Sequence, residues 1–407
     1  MKTIGVVGGG ASGLMAAISS AKADKTAEVF VLEHKNMAGK KILSTGNGRC
    51  NLTNEYMESS CFRSNDMHSV KHIIGKFGYP DTCAFFEQAG LLTKSRNGYV
   101  YPRCNQASAV LTVLLEEAER FGIRIDTDIH VTGILQEKKG FCIFTDKKKY
   151  YADKVILAAG GKASRVLGSD GSGYKLAESF GHTLIPVVPA LVQLKVQENP
   201  FAKAAGVRTD ARIQAYEDGV FCGEDTGELQ ITAYGLSGIP TFQISRYIAK
   251  ALDAGRQAEV VIDFLPEIEE EEFASLLGRL WKEKPDAEIG ACLNGIFAEK
   301  LIPVLLKLAD IRPHTWLRKL SEDDLQRIAG CCKRVSLPIS GTNGFEHAQV
   351  CAGGVNLKEI DCETMESRLV KGLYLVGELL DADGICGGYN LQWAWATGYL
   401  AGIHAVR

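Results

Sequence analysis

The stretch GVVGGGASGLMAAISSAKADKTAEVFVLEHKN, residues 5–36, constrains this chain more than any other. Thr3 to Val7 is a short, mostly apolar run, as expected of a strand buried on both faces. It feeds the turn Gly8-x-Gly10-x-x-Gly13, after which Leu14, Ala17 and Ile18 fall along one face of a helix. A second apolar strand, Glu28 to Leu32, ends on a single acid, Glu33. Gly8 permits a tight turn, Gly10 removes the Cβ from the path of a pyrophosphate, and Gly13 lets the helix pack closely on the strand. The helix opening at Ala11 and Ser12 offers unpaired N–H groups and a positive dipole end to phosphates. Glu33 is placed to accept hydrogen bonds from ribose hydroxyls. A lone GxGxxG is a weak signal, but here strand, turn, helix, strand and acid all keep the right spacing. The acid would repel a 2′-phosphate, so the site suits FAD or NAD rather than NADP.

Two later segments favour FAD. KVILAAGG, Lys154 to Gly161, is a short apolar strand ending in Ala159-Gly160-Gly161. GLYLVGELLDADGICGGYNLQWAWATGYLAG, Gly372 to Gly402, is a strand, then Gly377-Glu378, a glycine-rich turn with Asp383 and Gly388, and a helix beginning near Tyr389-Asn390-Leu391. A Gly-acid strand end feeding a C-terminal helix suits the flavin half of FAD. The acid would take a ribityl hydroxyl, and the helix N-terminus would face the edge of the ring that becomes negative on reduction.

The strings GKKILSTGNGRCNLTN (39–54), GELQITAYGLSGIP (227–240) and TMESRLVKGLYLVGELLDADGICGGYNLQWAWATG (364–398) carry a resemblance across nearly the whole chain. The sequence resembles the HI-type conserved bacterial flavoproteins, a family of NAD(P)/FAD-dependent oxidoreductases. One branch of that family includes a bile-acid reductase acting on 3-oxo unsaturated intermediates, and other members carry an aminoacetone-oxidase label. The resemblance implies an α/β fold: a discontinuous Rossmann-like FAD-binding domain with an inserted β-barrel and a helical subdomain. It also implies that Lys41, Ser44, Asn47, Gly48 and Arg49 lie along the FAD, with Arg49 facing the pyrophosphate or the substrate. Two positions depart from the family, which often has Thr and His where this chain has Cys351 and Ala233.

The expected FAD domain takes residues 1–189 and returns at 346–407. The barrel takes 190–265 and 335–345, from alternating runs such as VRTDARIQAYEDG and AEVVIDFLP. The helical piece takes 266–334, with Pro266 in the first turn of a helix whose acids Glu267 to Glu272 complement its dipole. Val131, after the helix of Ala107 to Gly122, is placed to touch the adenine.

Composition narrows the function. A net charge of −3 gives no basic field for nucleic acid or anionic lipid, and Lys147-Lys148-Lys149 without aromatic interleaving reads as a solvated turn. Twelve scattered cysteines without a CxxC read as reduced thiols in a cytoplasm. The glycine-rich strand sits so near the start that no presequence is expected, and the apolar runs are strand-sized, so no membrane span is expected. There is no GxSxG elbow, no HExxH and no zinc spacing, so hydrolases are disfavoured and no metal is expected.

The expected activity is that of an FAD-dependent oxidoreductase in which NADH or NADPH, bound transiently, drives reduction of a C=C bond in a hydrophobic small molecule such as a 3-oxo unsaturated bile-acid or steroid-like compound. No second GxGxxG follows to hold the nicotinamide, since Gly168-x-x-Gly171-x-Gly173 has the wrong spacing. An amine oxidase making peroxide is an alternative, and a flavin-binding sensor or RNA-associated flavoprotein is one of another class. Acid–base candidates are few. Tyr234 and Tyr389 fall in family-like strings, where a core ring is the plainer reading, and His347 reads as a surface or cap residue. Cys50 and Cys386 read as packing residues.

Overall fold

A computed structural model describes residues 1–407. The chain divides into two compact units, 1–187 with 349–407 and 188–348.

The first unit is built on a five-stranded, all-parallel sheet. Strand β1 (Thr3–Val7) lies at its centre, between β2 (Glu28–Leu32) and the strand Lys154–Leu157. Arg124–Asp126 and Leu373–Leu375 form the two edges. The three inner strands are continuous apolar runs because both faces are covered, one by helix α1 (Ala11–Ala23) and the other by an antiparallel sheet of Val131–Gln136, Phe141–Thr145 and Lys149–Ala152. Gly5 marks that second contact, since a Cβ there would lie 2.9 Å from the Phe30 ring and 3.0 Å from Ile143.

The C-terminal helix, Tyr389–Ala405, packs along α1. Its Gly398 and Gly402 allow the approach: a Cβ would stand 2.4 Å from the Ser12 carbonyl oxygen and 2.5 Å from that of Ala16. Trp393 and Trp395 are fully buried, and their indole N–H groups donate to Gly377 O at 3.0 Å and Leu52 O at 2.9 Å. The last helix is therefore tied by hydrogen bonds to the strand end just before it and to a segment 343 residues away in the chain.

The second unit is a closed six-stranded barrel carrying helices. Going around it, the strands are Leu194–Val196, Gly235–Gly238, Val220–Ile231, Arg208–Glu217, Ala258–Asp263 and Val335–Thr342, and the last pairs with the first to close the ring. Helix Ile239–Asp253 interrupts the barrel sequence and lays Ile244, Ile248 and Ala251 against it. Helices Glu270–Glu283, Ile302–Leu308 and Glu322–Lys333 share one continuous core with the strands, through Phe273, Leu277, Leu305 and Ile328.

Pro266 is not in the first turn of the acidic helix, which starts at Glu270. Lys333 Nζ takes the carbonyls of Leu265 and Ile268 and pairs with Asp263 at 2.9 Å, so those carbonyls are engaged in holding a turn. Only Glu270, Glu271 and Glu272 fall in the first helical turn, where they meet the positive dipole end. No helix of the protein is long and apolar enough to cross a membrane.

Candidate functional site

Four segments separated by up to several hundred residues meet in the first unit. The first is the glycine-rich turn. Gly8 has φ +104°, and a Cβ there would collide with Ala158 O at 2.4 Å; at Gly13 it would meet Gly8 O at 1.9 Å. Both positions need glycine for close approach. Gly10, by contrast, faces open space, with nothing within 4 Å of its absent Cβ. It begins α1 without a side-chain cap and without an acid in the first turn. The N–H groups of Ala11, Ser12 and Gly13 thus point out of the helix with no intrahelical acceptor.

Glu33, at the end of β2, is 7% exposed. One oxygen accepts the Gly9 N–H at 2.8 Å and the other accepts the Lys35 N–H at 2.8 Å. These bonds fix the carboxylate beside the turn; His34 Nδ1 stands 3.4 Å from the oxygen that takes Lys35, and the oxygen that takes Gly9 keeps a lone pair for a hydroxyl donor. The Ile129 N–H donates to Glu33 O at 3.0 Å, which brings the segment leading into buried Val131 alongside.

The second segment is the loop 39–49. Its Asn47 and Gly48 have φ 54° and 81°. Ser44 and Arg49 are exposed, and the Ser44 hydroxyl donates to Lys41 O at 2.9 Å. The Lys41 ammonium reaches across to the other two segments: 3.2 Å to Ala163 O, beyond Ala159-Gly160-Gly161, and 2.9 Å to Glu378. The other Glu378 oxygen accepts the Cys351 N–H at 2.9 Å. A Cβ on Gly161 would lie 2.8 Å from that same oxygen, and one on Gly377 would lie 2.5 Å from Ser12 Oγ. The turn, the 41–49 loop, the 159–161 strand end and Gly377-Glu378 therefore form one lining.

The C-terminal helix completes it. Its N-cap, Gly388, has φ 96° and no side-chain cap. Asn390 does not project freely: its amide closes the preceding loop by accepting the Gly384 N–H at 2.8 Å and donating to Gly384 O at 2.9 Å. Leu391 is half-buried in the first turn, and Asp383 is buried in a short strand pair with Phe62–Arg63.

Of the acid–base candidates, Tyr389 is a core ring, 4% exposed and edge-on to Phe62, with its phenol pushed up chiefly by burial. Tyr234 belongs to the second unit and is 41% exposed on a turn, which removes the core reading there. Ala233 is exposed on the same turn, and His347 is exposed. Cys50 is fully buried, and burial pushes its thiol up to about 12. Cys386 is half-buried. Cys351 has its thiol pushed up to about 12, first by burial and then by the Glu378 charge, and its sulfur accepts the Lys162 N–H at 3.1 Å. A threonine oxygen could accept the same N–H, so the departure from the family keeps that contact.

Sequence reasoning did not single out Cys351 as a partner of Glu378, nor Thr397, whose hydroxyl accepts the Gly377 N–H at 2.9 Å. Asn51, whose buried Oδ1 has no partner, was also passed over, although it stands in the GRCNLTN string beside Arg49.

These features define a dinucleotide-binding Rossmann domain of the FAD type, interrupted by a barrel with helices. The family model described as HI0933-like protein Rossmann domain matches residues 2–404, and the chain belongs to that family. It is 54% identical over 407 residues, the whole of both chains, to the 3-dehydro-bile acid delta(4,6)-reductase of Clostridium scindens. It is 29% identical over 400 residues, 97% of this chain and 95% of the relative, to the ribosomal RNA dihydrouridine synthase of Escherichia coli. Among solved structures, the open conformation of a flavocytochrome c3 fumarate reductase superimposes on all of this chain and 78% of its own, with TM-score 0.52 and 14% identity, a likeness of fold. The protein is an FAD-dependent oxidoreductase. Its residues fit that cofactor: an uncapped helix start over open space at Gly10, a fixed acid at Glu33 and a second uncapped helix start at Gly388.

Proposed function

We propose that this protein uses NADH or NADPH to saturate a C=C bond conjugated to a ketone in a hydrophobic, steroid-like small molecule, a 3-oxo unsaturated bile acid being the leading substrate. The observation that carries this reading is the 54% identity, over the full length of both chains, to a relative named as a delta(4,6)-reductase of 3-dehydro-bile acids. In it, the N–H groups of Ala11 to Gly13 would hold the FAD pyrophosphate, Glu33 the adenosine ribose, and Lys41, Glu378 and the start of the C-terminal helix the flavin half. FAD, when bound, would supply the hydride chemistry between a nicotinamide and the β-carbon of an enone, with the α-carbon taking a proton from solvent. The protein orients the reactants, excludes water and offers the helix N-terminus to the charge that develops on reduction. A reducing bacterial cytoplasm is the setting that twelve free thiols favour.

Anaerobic mixing with NADH or NADPH tests the first half-reaction: the flavin absorption bleaches, and a 3-oxo-4-ene bile acid restores it. Failure of both nucleotides to bleach it overturns the reading. Oxygen uptake with amines would point instead to an oxidase. An RNA substrate is the second reading, favoured by the 29% likeness to the dihydrouridine synthases and opposed by the net charge of −3.

A further inference from the structure

The first unit holds a cleft of about 370 Å³ whose lining shares only Arg49 with the residues expected along the FAD. Its wall is a β-hairpin, Thr93–Arg96 and Tyr99–Pro102, joined by Asn97-Gly98 with φ 52° and 83°, the left-handed pair that a two-residue hairpin turn requires. Lys94 pairs with Tyr101 and Arg96 with Tyr99, so two cations and two rings share one face. Val100 and Pro102 lie on the other face, in the protein. Arg49 adds a third cation from the 39–49 loop, and Asn105 lines the rim. No carboxylate lines the cleft, and Arg49, Lys94 and Arg96 are absent from every ion pair of the protein. In a chain of net charge −3, three unpaired cations around one concavity call for an anion.

The cleft borders the flavin end of the candidate site. A Cβ on Gly387 would lie 2.9 Å from the Tyr99 ring, and Asn54 Nδ2 donates to Gly387 O at 3.0 Å. Gly387 precedes Gly388, the N-cap of the C-terminal helix.

We propose that this cleft binds the adenosine 2′-phosphate end of NADPH, so that the enzyme takes NADPH in preference to NADH. The inference rests on the nicotinamide-driven reading above. A 2′-phosphate is repelled at the first nucleotide site by Glu33, and the chain has no second GxGxxG, so the phosphates of the donor must be met by other groups. Arg guanidinium forks match a phosphate bidentately, and tyrosine faces accept a stacked base. The volume suits an adenosine bisphosphate better than a dinucleotide, which leaves the nicotinamide end outside the cleft and near the start of the C-terminal helix.

Calorimetric titration of the holoenzyme with adenosine 2′,5′-bisphosphate tests the site without turnover. The wild type binds it more tightly than adenosine 5′-monophosphate. Lys94→Ala and Arg96→Ala each weaken binding about tenfold, the loss of one charge-assisted hydrogen bond, with FAD content and melting temperature retained. The same variants raise KM for NADPH and leave kcat and the KM for NADH in place, and Arg96→Lys recovers part of the loss. Equal bisphosphate affinity in wild type and the Lys94→Ala/Arg96→Ala double variant overturns the cleft assignment, even where NADPH reduces the flavin and the proposed function stands. Binding of an RNA oligonucleotide with no response to the bisphosphate also overturns it, and failure of both nicotinamides to reduce the flavin removes the reading on which it rests.

Discussion

Replacing Gly398 by alanine tests the seam between α1 and the C-terminal helix, the two helices proposed to face the cofactor. The new Cβ would start 2.4 Å from Ser12 O, 3.1 Å from Met15 Cβ and 3.2 Å from Ser12 C. The oxygen is backbone inside α1 and cannot rotate away. Relief to ordinary contact needs the helices to part by about 1 Å, and over-packing of this kind costs about 1–3 kcal/mol. Alanine returns about 0.5–1 kcal/mol of helix propensity. Because the 2.4 Å clash is with backbone, the upper half of the over-packing range applies, and a net loss of about 1–2.5 kcal/mol lowers the melting temperature by roughly 2–10 °C in a domain of this size. Because Ser12 carries one of the N–H groups proposed to hold the pyrophosphate, FAD affinity should fall in the same variant. Gly75→Ala is the control: it lies in helix Met67–Lys76 with nothing within 4 Å, so alanine there leaves stability unchanged or raises it. Thermal melts by circular dichroism, with and without FAD, read both. A Gly398→Ala protein that melts with the wild type and binds FAD equally well refutes the reasoning.

Removing the Glu33 carboxylate with Glu33→Ala frees the Gly9 and Lys35 N–H groups and removes the proposed ribose acceptor; fluorescence titration should show FAD affinity falling about tenfold. Native alkylation near pH ~8, read by mass spectrometry, should label exposed Cys104 and spare Cys50 and Cys351, whose thiols burial pushes up to about 12. At Glu359, desolvation raises the carboxyl, but the Thr183 hydroxyl and N–H and the His182 ring together hold it below its ordinary 4.5. A depressed carboxyl contributes stability that is present above its unfolded value and lost as pH falls from 4.5 through the folded value. Glu359→Gln should therefore cost about 1–3 kcal/mol at neutral pH in denaturant melts and flatten that acid limb.

The parts of the fold legible in the sequence are those encoded by local spacing. Strands β1 and β2 and the helix between them follow from two continuous apolar runs and three glycines with distinct steric duties. The start of the last helix follows from Gly387-Gly388 before a long apolar segment. What was missed depends on groups brought from afar. The acidic helix starts at Glu270 because Lys333 holds the carbonyls before it. Helix Ile239–Asp253 had a readable stripe at Ile244, Ile248 and Ala251, but strand alternation on either side of it took precedence. Glu378 stood out as an acid after a glycine, yet its partners, Lys41 and the Cys351 N–H, lie 337 and 27 residues away. The basic hairpin was the opposite case: its Asn-Gly turn and alternating residues were local and plain, but only Arg49, from another loop, turns its face into a cleft.

The most direct test of this account is a crystal structure of the protein grown with FAD. It should show the diphosphate against the N–H groups of Ala11, Ser12 and Gly13, the adenosine ribose on Glu33, and the flavin ring at the Gly388 end of the last helix. A protein that takes up no FAD, or density that places the cofactor away from the Gly8–Gly13 turn, would contradict it.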